Sequence, residues 1–133
     1  MICLDTNAAI AALRGVSPLF NERFSKALLR GELAISTVVL FELHFGIAKS
    51  ARRIHNTQSL ATFLHAPIAV LPFETEDAEE AGQIRAGLEQ AGTPIGPYDL
   101  LIAAQARRRS AVLITANLSE FSRVPRLLVE DWS

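Results

Sequence analysis

Three carboxylates in this sequence stand where chemistry could use them. Asp5 closes an apolar run in Leu4-Asp5-Thr6-Asn7, Glu42 interrupts the apolar stretch Val38–Ile47, and Asp99 follows the turn formers of Gly92–Pro97. Hard divalent cations such as Mg²⁺ prefer oxygen donors of this type. A cation held that way activates a water and stabilises charge on a leaving oxygen, which is what phosphodiester hydrolysis demands. Crowded carboxylates repel one another unless a cation sits between them, so such a cluster is strained and metal-hungry when empty.

Each residue also has an ordinary explanation. Asp5 could cap a helix, although Thr6 or Asn7 could do so and leave Asp5 free. Glu42 shares a helical face with Lys49 and Arg53 by spacing, the pattern of a solvated stripe. Against that, an unpaired carboxylate among apolar neighbours is costly. Asp99 falls in the first turn of a helix, where the dipole favours negative charge. A fourth position lies in Thr115-Ala-Asn-Leu-Ser-Glu-Phe121. There Asn117 offers a neutral oxygen to a metal or a hydrogen bond to a carboxylate or water. Glu120 is the nearest carboxylate and reads more simply as a turn residue.

The elements that must position these residues alternate along the chain. Strands are expected at Met1–Leu4, Leu33–Ser36, Ile68–Leu71, Ala111–Thr115 and Leu127–Glu130. Helices are expected at Ala8–Leu13, Pro18 to about Arg30, Val38–Lys49, Arg52–Leu64, Thr75–Gln90 and Pro97–Arg109, with Gly15 and Gly31 as stops. Strand-helix alternation throughout favours an α/β fold, a three-layer arrangement with a central parallel sheet of four to five strands flanked by helices. In such sheets ligands bind beyond the carboxyl ends of the strands, where strand order reverses. Asp5 and Asn117 both follow strands.

A chain of 133 residues, half of them hydrophobic and a fifth charged, suits one domain over residues 1–133. The net charge of −1 excludes a broadly basic protein that coats nucleic acid by charge alone. Metal ions on carboxylates could supply positive charge locally. The single cysteine, Cys3, excludes an internal disulfide and points to a reducing, cytoplasmic setting. No apolar run is long enough to span a bilayer, so no membrane role is expected. No signal-peptide pattern opens the chain. The histidines His44, His55 and His65 show no zinc spacing. No glycine-rich phosphate loop and no nucleophile elbow is present. Arg107-Arg108-Arg109 suits a helix C-terminus, with RNA contact as the alternative. Arg52, Arg53 and His55 form a second basic cluster, either a solvated face or an RNA rim.

Four blocks, Leu4–Asn7, Phe41–Gly46, Ile95–Ala104 and Asn117–Phe121, together with the closing Val129–Trp132, resemble the PIN-domain ribonucleases. More narrowly they resemble the VapC toxins of type II toxin–antitoxin pairs, and the resemblance spans the whole chain. It implies a PIN fold and an endoribonuclease dependent on Mg²⁺, with Mn²⁺ able to substitute. Asp5, Glu42 and Asp99 would be the metal-binding catalytic residues. Asn117 stands at the fourth acidic position of many PIN domains, which implies one firmly bound ion. Thr6 and Thr115 would orient the carboxylates, and Glu120 is a further candidate. The resemblance also implies in-line hydrolysis to a 5′-phosphate and a 3′-hydroxyl, and structured RNA as substrate, initiator tRNA foremost. The implied partners are a VapB-type antitoxin and a second copy of the chain, with DNA reached only through the antitoxin. Competing readings are a catalytically inactive PIN-fold binding module and a PIN nuclease of RNA processing outside a toxin–antitoxin pair. A phosphatase of the haloacid dehalogenase type would want an Asp where Asn7 stands.

Overall fold

A computed structural model describes all of residues 1–133. Five strands, β1 (Ile2–Leu4), β2 (Leu33–Ser36), β3 (Ala69–Leu71), β4 (Val112–Ile114) and β5 (Leu128–Glu130), form one sheet in the order β3-β2-β1-β4-β5. Every pairing is parallel. Seven helices connect them: α1 (Thr6–Arg14), α2 (Pro18–Leu29), α3 (Thr37–Ala48), α4 (Arg53–His65), α5 (Thr75–Gln90), α6 (Pro97–Arg108) and α7 (Leu118–Phe121). The α/β architecture is the one expected, with the sheet at its five-strand limit.

The chain steps from β1 to β2 to β3 in one direction, then returns across β1 to build β4 and β5. Right-handed crossovers place the connecting helices on opposite faces when the direction reverses. The central strands are accordingly apolar on both sides: Leu4, Ala34, Ile35 and Leu113 have no exposed surface. Burying each larger aliphatic side chain contributes about 1.5–3 kcal/mol. Val70 on β3 and Leu128 on β5 stay exposed at the sheet edges. Phe20 of α2 meets Phe24 and Trp132, and Phe24 stacks on Phe63 of α4, which closes the layer at its far end. No helix is long and apolar enough to cross a membrane.

Local signals set most boundaries. Gly15 ends α1 at φ 63°, in the left-handed region that suits glycine. Ser17 and Ser36 cap α2 and α3 through their hydroxyls. Three expectations need correction. The stripe joining Glu42, Lys49 and Arg53 does not exist, because α3 ends at Ala48 and Arg53 opens a separate helix. The segment after β4 is not a plain turn but contains the short helix α7. The Arg107–Arg109 run ends α6 as expected, where cations suit the dipole, but its charges are spent on α5 rather than left for RNA. Arg108 Nε and Arg109 Nη1 donate to Asp77 Oδ1 at 2.6 and 2.8 Å, and Arg107 Nε donates to Glu80 Oε2 at 2.8 Å. The run locks α6 against α5.

Candidate active site

The reversal of strand order puts the carboxyl ends of β1 and β4 side by side. Asp5 sits there: its backbone N–H donates to the Ile114 carbonyl at 3.1 Å. Its side chain is nearly buried, and Oδ1 accepts from the Ala8 N–H at 2.8 Å. Asp5 therefore caps α1 itself, rather than leaving that task to Thr6 or Asn7. Capping and site placement are compatible, because the cap fixes the carboxylate at the sheet edge. Burial raises the Asp5 pKa. The Thr115 hydroxyl and the Ala8 N–H oppose that shift, while Glu42 and Asp131 add to it.

Glu42 reaches the same edge from α3. The Thr6 hydroxyl donates to its Oε1 at 2.6 Å, so the first residue of α1 orients it. Asp99 arrives from the first turn of α6. Burial first, and then the charges of Glu120, Glu42 and Asp5, push its carboxyl up to about 6. The three predicted carboxylates thus share one electrostatic site.

Glu120, read from the sequence as a turn residue, belongs to this site. From α7 its Oε1 accepts from the Gly96 N–H and its Oε2 from the Asn117 amide, each at 2.8 Å. Those donors hold its pKa below the usual range. Asn117 consequently positions Glu120, and its own N–H is held by the Thr115 hydroxyl at 2.9 Å. Two contributors were missed in the sequence. Gly96 contributes its N–H to Glu120 Oε1; a Cβ there would lie 3.5 Å from Asp99 Oδ2 and 3.8 Å from Glu120 Oε1, ordinary contact distances, so the backbone donor and not the missing side chain is its part. Asp131 adds negative potential at Asp5 from beyond β5. The Gly96-Pro97 opening before Tyr98-Asp99 was the available signal for the first.

No lysine or arginine forms an ion pair with Asp5, Glu42, Asp99 or Glu120. Arg123 lowers the Glu120 pKa from a distance, but Asp5, Glu42 and Asp99 have no such partner, and negative charge with oxygen-only donors suits a hard divalent cation. No three of these side chains close into a preformed cage. Cys3 is no nucleophile, since burial pushes its thiol up to about 11. His44 is exposed.

Comparison with known proteins gives consistent matches. The PIN domain family model matches residues 2–127. The tRNA(fMet)-specific endonuclease VapC of Salmonella typhimurium is 40% identical over 129 residues, spanning 97% of this chain and 96% of that protein. Ribonuclease VapC2 of Rickettsia felis is 35% identical over the same shares. Among solved structures, VapBC2 from Rickettsia felis bound to a DNA fragment from its promoter superposes with a TM-score of 0.93 at 34% identity, covering 100% of both chains. DNA-bound VapBC from Salmonella typhimurium superposes at 0.92 with 38% identity, covering 99% of this chain and 98% of that one.

Proposed function

The chain belongs to the PIN-domain family and, within it, to the VapC ribonucleases, and from that premise we propose that Asp5, Glu42 and Asp99, joined by Glu120, form the catalytic centre of a metal-dependent endoribonuclease acting as the toxin of a toxin–antitoxin pair. The observation that carries the assignment is the convergence of four carboxylates at the switch point of the sheet, none of them in an ion pair and only Glu120 within the field of a cation, Arg123.

Mg²⁺, with Mn²⁺ as a substitute, is the cation proposed; bound there it supplies an activated water and neutralises charge at the scissile phosphate. The chain's own part is to hold the donors in place. Ala8 N–H fixes Asp5, Thr6 fixes Glu42, and Gly96 with Asn117 fixes Glu120. Asp99 retains its proton to a higher pH than a free carboxyl, so a metal competes with that proton below about pH 6 and meets a mostly ionised group at pH 7. The tRNA(fMet) named for the Salmonella relative makes initiator tRNA the proposed substrate, and inhibition of translation the consequence. The VapBC structures support a VapB-type antitoxin as partner, with DNA contacted through that antitoxin. Exposed Phe41, Phe45 and Tyr98, with Phe41 and Tyr98 rings 5.4 Å apart, support a homodimer. The buried Cys3 thiol suits the cytoplasm.

The test is cleavage of total tRNA by antitoxin-free protein in Mg²⁺, with EDTA and Asp5→Asn as controls. Discrete products are expected, with a loss of about 10²–10³-fold or more in the variant. Folded protein that cuts no RNA in any divalent metal would return the inactive binding module as the better reading.

A further inference from the structure

A groove of about 600 Å³ opens where the end of α1, the middle of α3 and the start of α4 meet. Its walls include Arg14, Ser50, Arg52, His55 and Asn56, and also Glu42 of the carboxylate cluster. Arg52 and His55 further border a shallow depression that runs on along the first turns of α4, with Arg53. Its floor is apolar, from Ile10, Leu13, Leu43 and Ile47, so the groove is an apolar trough with Arg14 and Arg52 on its walls and Glu42 of the proposed cleavage centre among its lining.

Its charges are uncommitted. Arg14, Arg52 and Arg53 are exposed and take part in no ion pair. Arg107, Arg108 and Arg109, by contrast, are all engaged with α5. The start of α4 carries no side-chain cap, so its free N–H groups add to the positive end of the path. In a chain of net charge −1, three free guanidiniums at one corner are a local excess that neither stability nor overall charge requires.

We propose that this groove is the track for the sugar-phosphate backbone of the RNA next to the bond being cut. Arg14 and Arg52 each hold a phosphate, while Ser50, whose Oγ accepts from the Asn56 amide at 2.8 Å and the Arg52 N–H at 2.9 Å, fixes the start of α4 between them. The proposal rests on the ribonuclease reading. A polyanionic nucleic acid fits better than an acidic peptide, because the groove leads into Glu42. A peptide carboxylate arriving there would meet like charge, whereas RNA delivers the phosphate on which a carboxylate-held cation acts. The groove thus balances the acidic centre and sets the direction in which the strand enters.

The experiment compares the full, antitoxin-free chain with Arg14→Gln, Arg52→Gln, the double variant, Arg52→Lys and a distant control, Arg126→Gln. Cleavage of tRNA yields KM and kcat separately. Binding of the same tRNA is measured against salt in an Asp5→Asn background, which prevents cutting. The double variant is expected to raise KM roughly tenfold with kcat retained, and each lost arginine to lower the salt slope by about 0.7–0.9. Arg52→Lys should keep most of the affinity, since a phosphate accepts a point charge. Unchanged KM and salt slope, with Asp5→Asn inactive, would overturn the groove assignment while leaving the nuclease reading intact. The reverse pattern, groove-dependent tRNA binding by a wild type that cuts nothing, would keep the groove and remove the nuclease. Displacement of a poly-glutamate peptide but not of tRNA by the substitutions would also overturn it, in favour of an acidic protein partner.

Discussion

Asp99 shows how a single residue stores the strain of the site. Its folded-state pKa of about 6 lies above that of a free carboxyl. Between those two values the folded protein holds more protons than the unfolded one, so stability falls as pH rises through that interval. At pH 7 in EDTA the ionised group opposes folding. Asp99→Asn is therefore expected to raise the melting midpoint by a few degrees at pH 7 and to leave it unchanged near pH 4. Mg²⁺ should stabilise the wild type, and the variant much less, because ligation acts only on the folded state. Thermal scans in EDTA and in Mg²⁺ decide this, and a variant that melts with or below the wild type at pH 7 would remove the charge-crowding argument. The same scale explains Glu120. One of its donors, Asn117, is three residues away, but the other, the Gly96 N–H, is 24 residues distant and no local pattern announces it.

At the scale of elements, α6 is a rod anchored at one end and functional at the other. Its last residues grip α5 through Asp77, which has no exposed surface. Burial works against the Asp77 charge, but Arg109, Arg108 and the Glu74 N–H outweigh it and hold the carboxyl at about 2. The depressed value contributes stability that is fully present above about pH 4 and is lost as pH falls towards 2. Asp77→Asn is expected to cost about 3 kcal/mol at pH 7, because two guanidiniums lose their partner. The difference from wild type should shrink on acidification to pH 2. Nine helical residues separate Arg108 from Asp99, about 14 Å, so cleavage per folded molecule should hold. Urea melts at several pH values, read beside activity, test both halves. A pH-independent loss would place the effect in packing rather than charge.

Whole-molecule arguments concern what the surface leaves uncovered. Phe41 and Phe45 on α3 are about half exposed, and so is Tyr98 on α6. Exposed aromatic side chains grouped beside a functional cleft are characteristic of a covered surface. If a second copy covers them, Phe45→Glu should convert a dimer at micromolar concentration into a monomer, as read by sedimentation. A wild type that sediments as a monomer would instead leave this face to the antitoxin.

Local patterning carried the element order, because hydrophobic runs, serine caps and glycine stops act over a few residues. Thr75–Gln90 was legible to both ends, and every strand was located to within a residue or two. The candidacy of Asp5, Glu42 and Asp99 was legible from short blocks too: Glu42 is a carboxylate among apolar neighbours, Asp5 closes a strand, and Asp99 opens a helix after a turn-rich loop. What the sequence could not decide was which distant groups would meet. The Arg107–Arg109 run has the same composition whether it faces solvent, RNA or Asp77. Only the packing of α5 on α6 chose Asp77. Glu120 looked like a turn residue because one of its partners, the Gly96 N–H, lies across the fold. By itself the sequence determined the strands, six of the seven helices and the candidacy of the three carboxylates, whose signals are short-range. The tertiary structure alone decided that strand order reverses beside Asp5, and that reversal is what brings Glu42, Asp99 and Glu120 within electrostatic reach of one another.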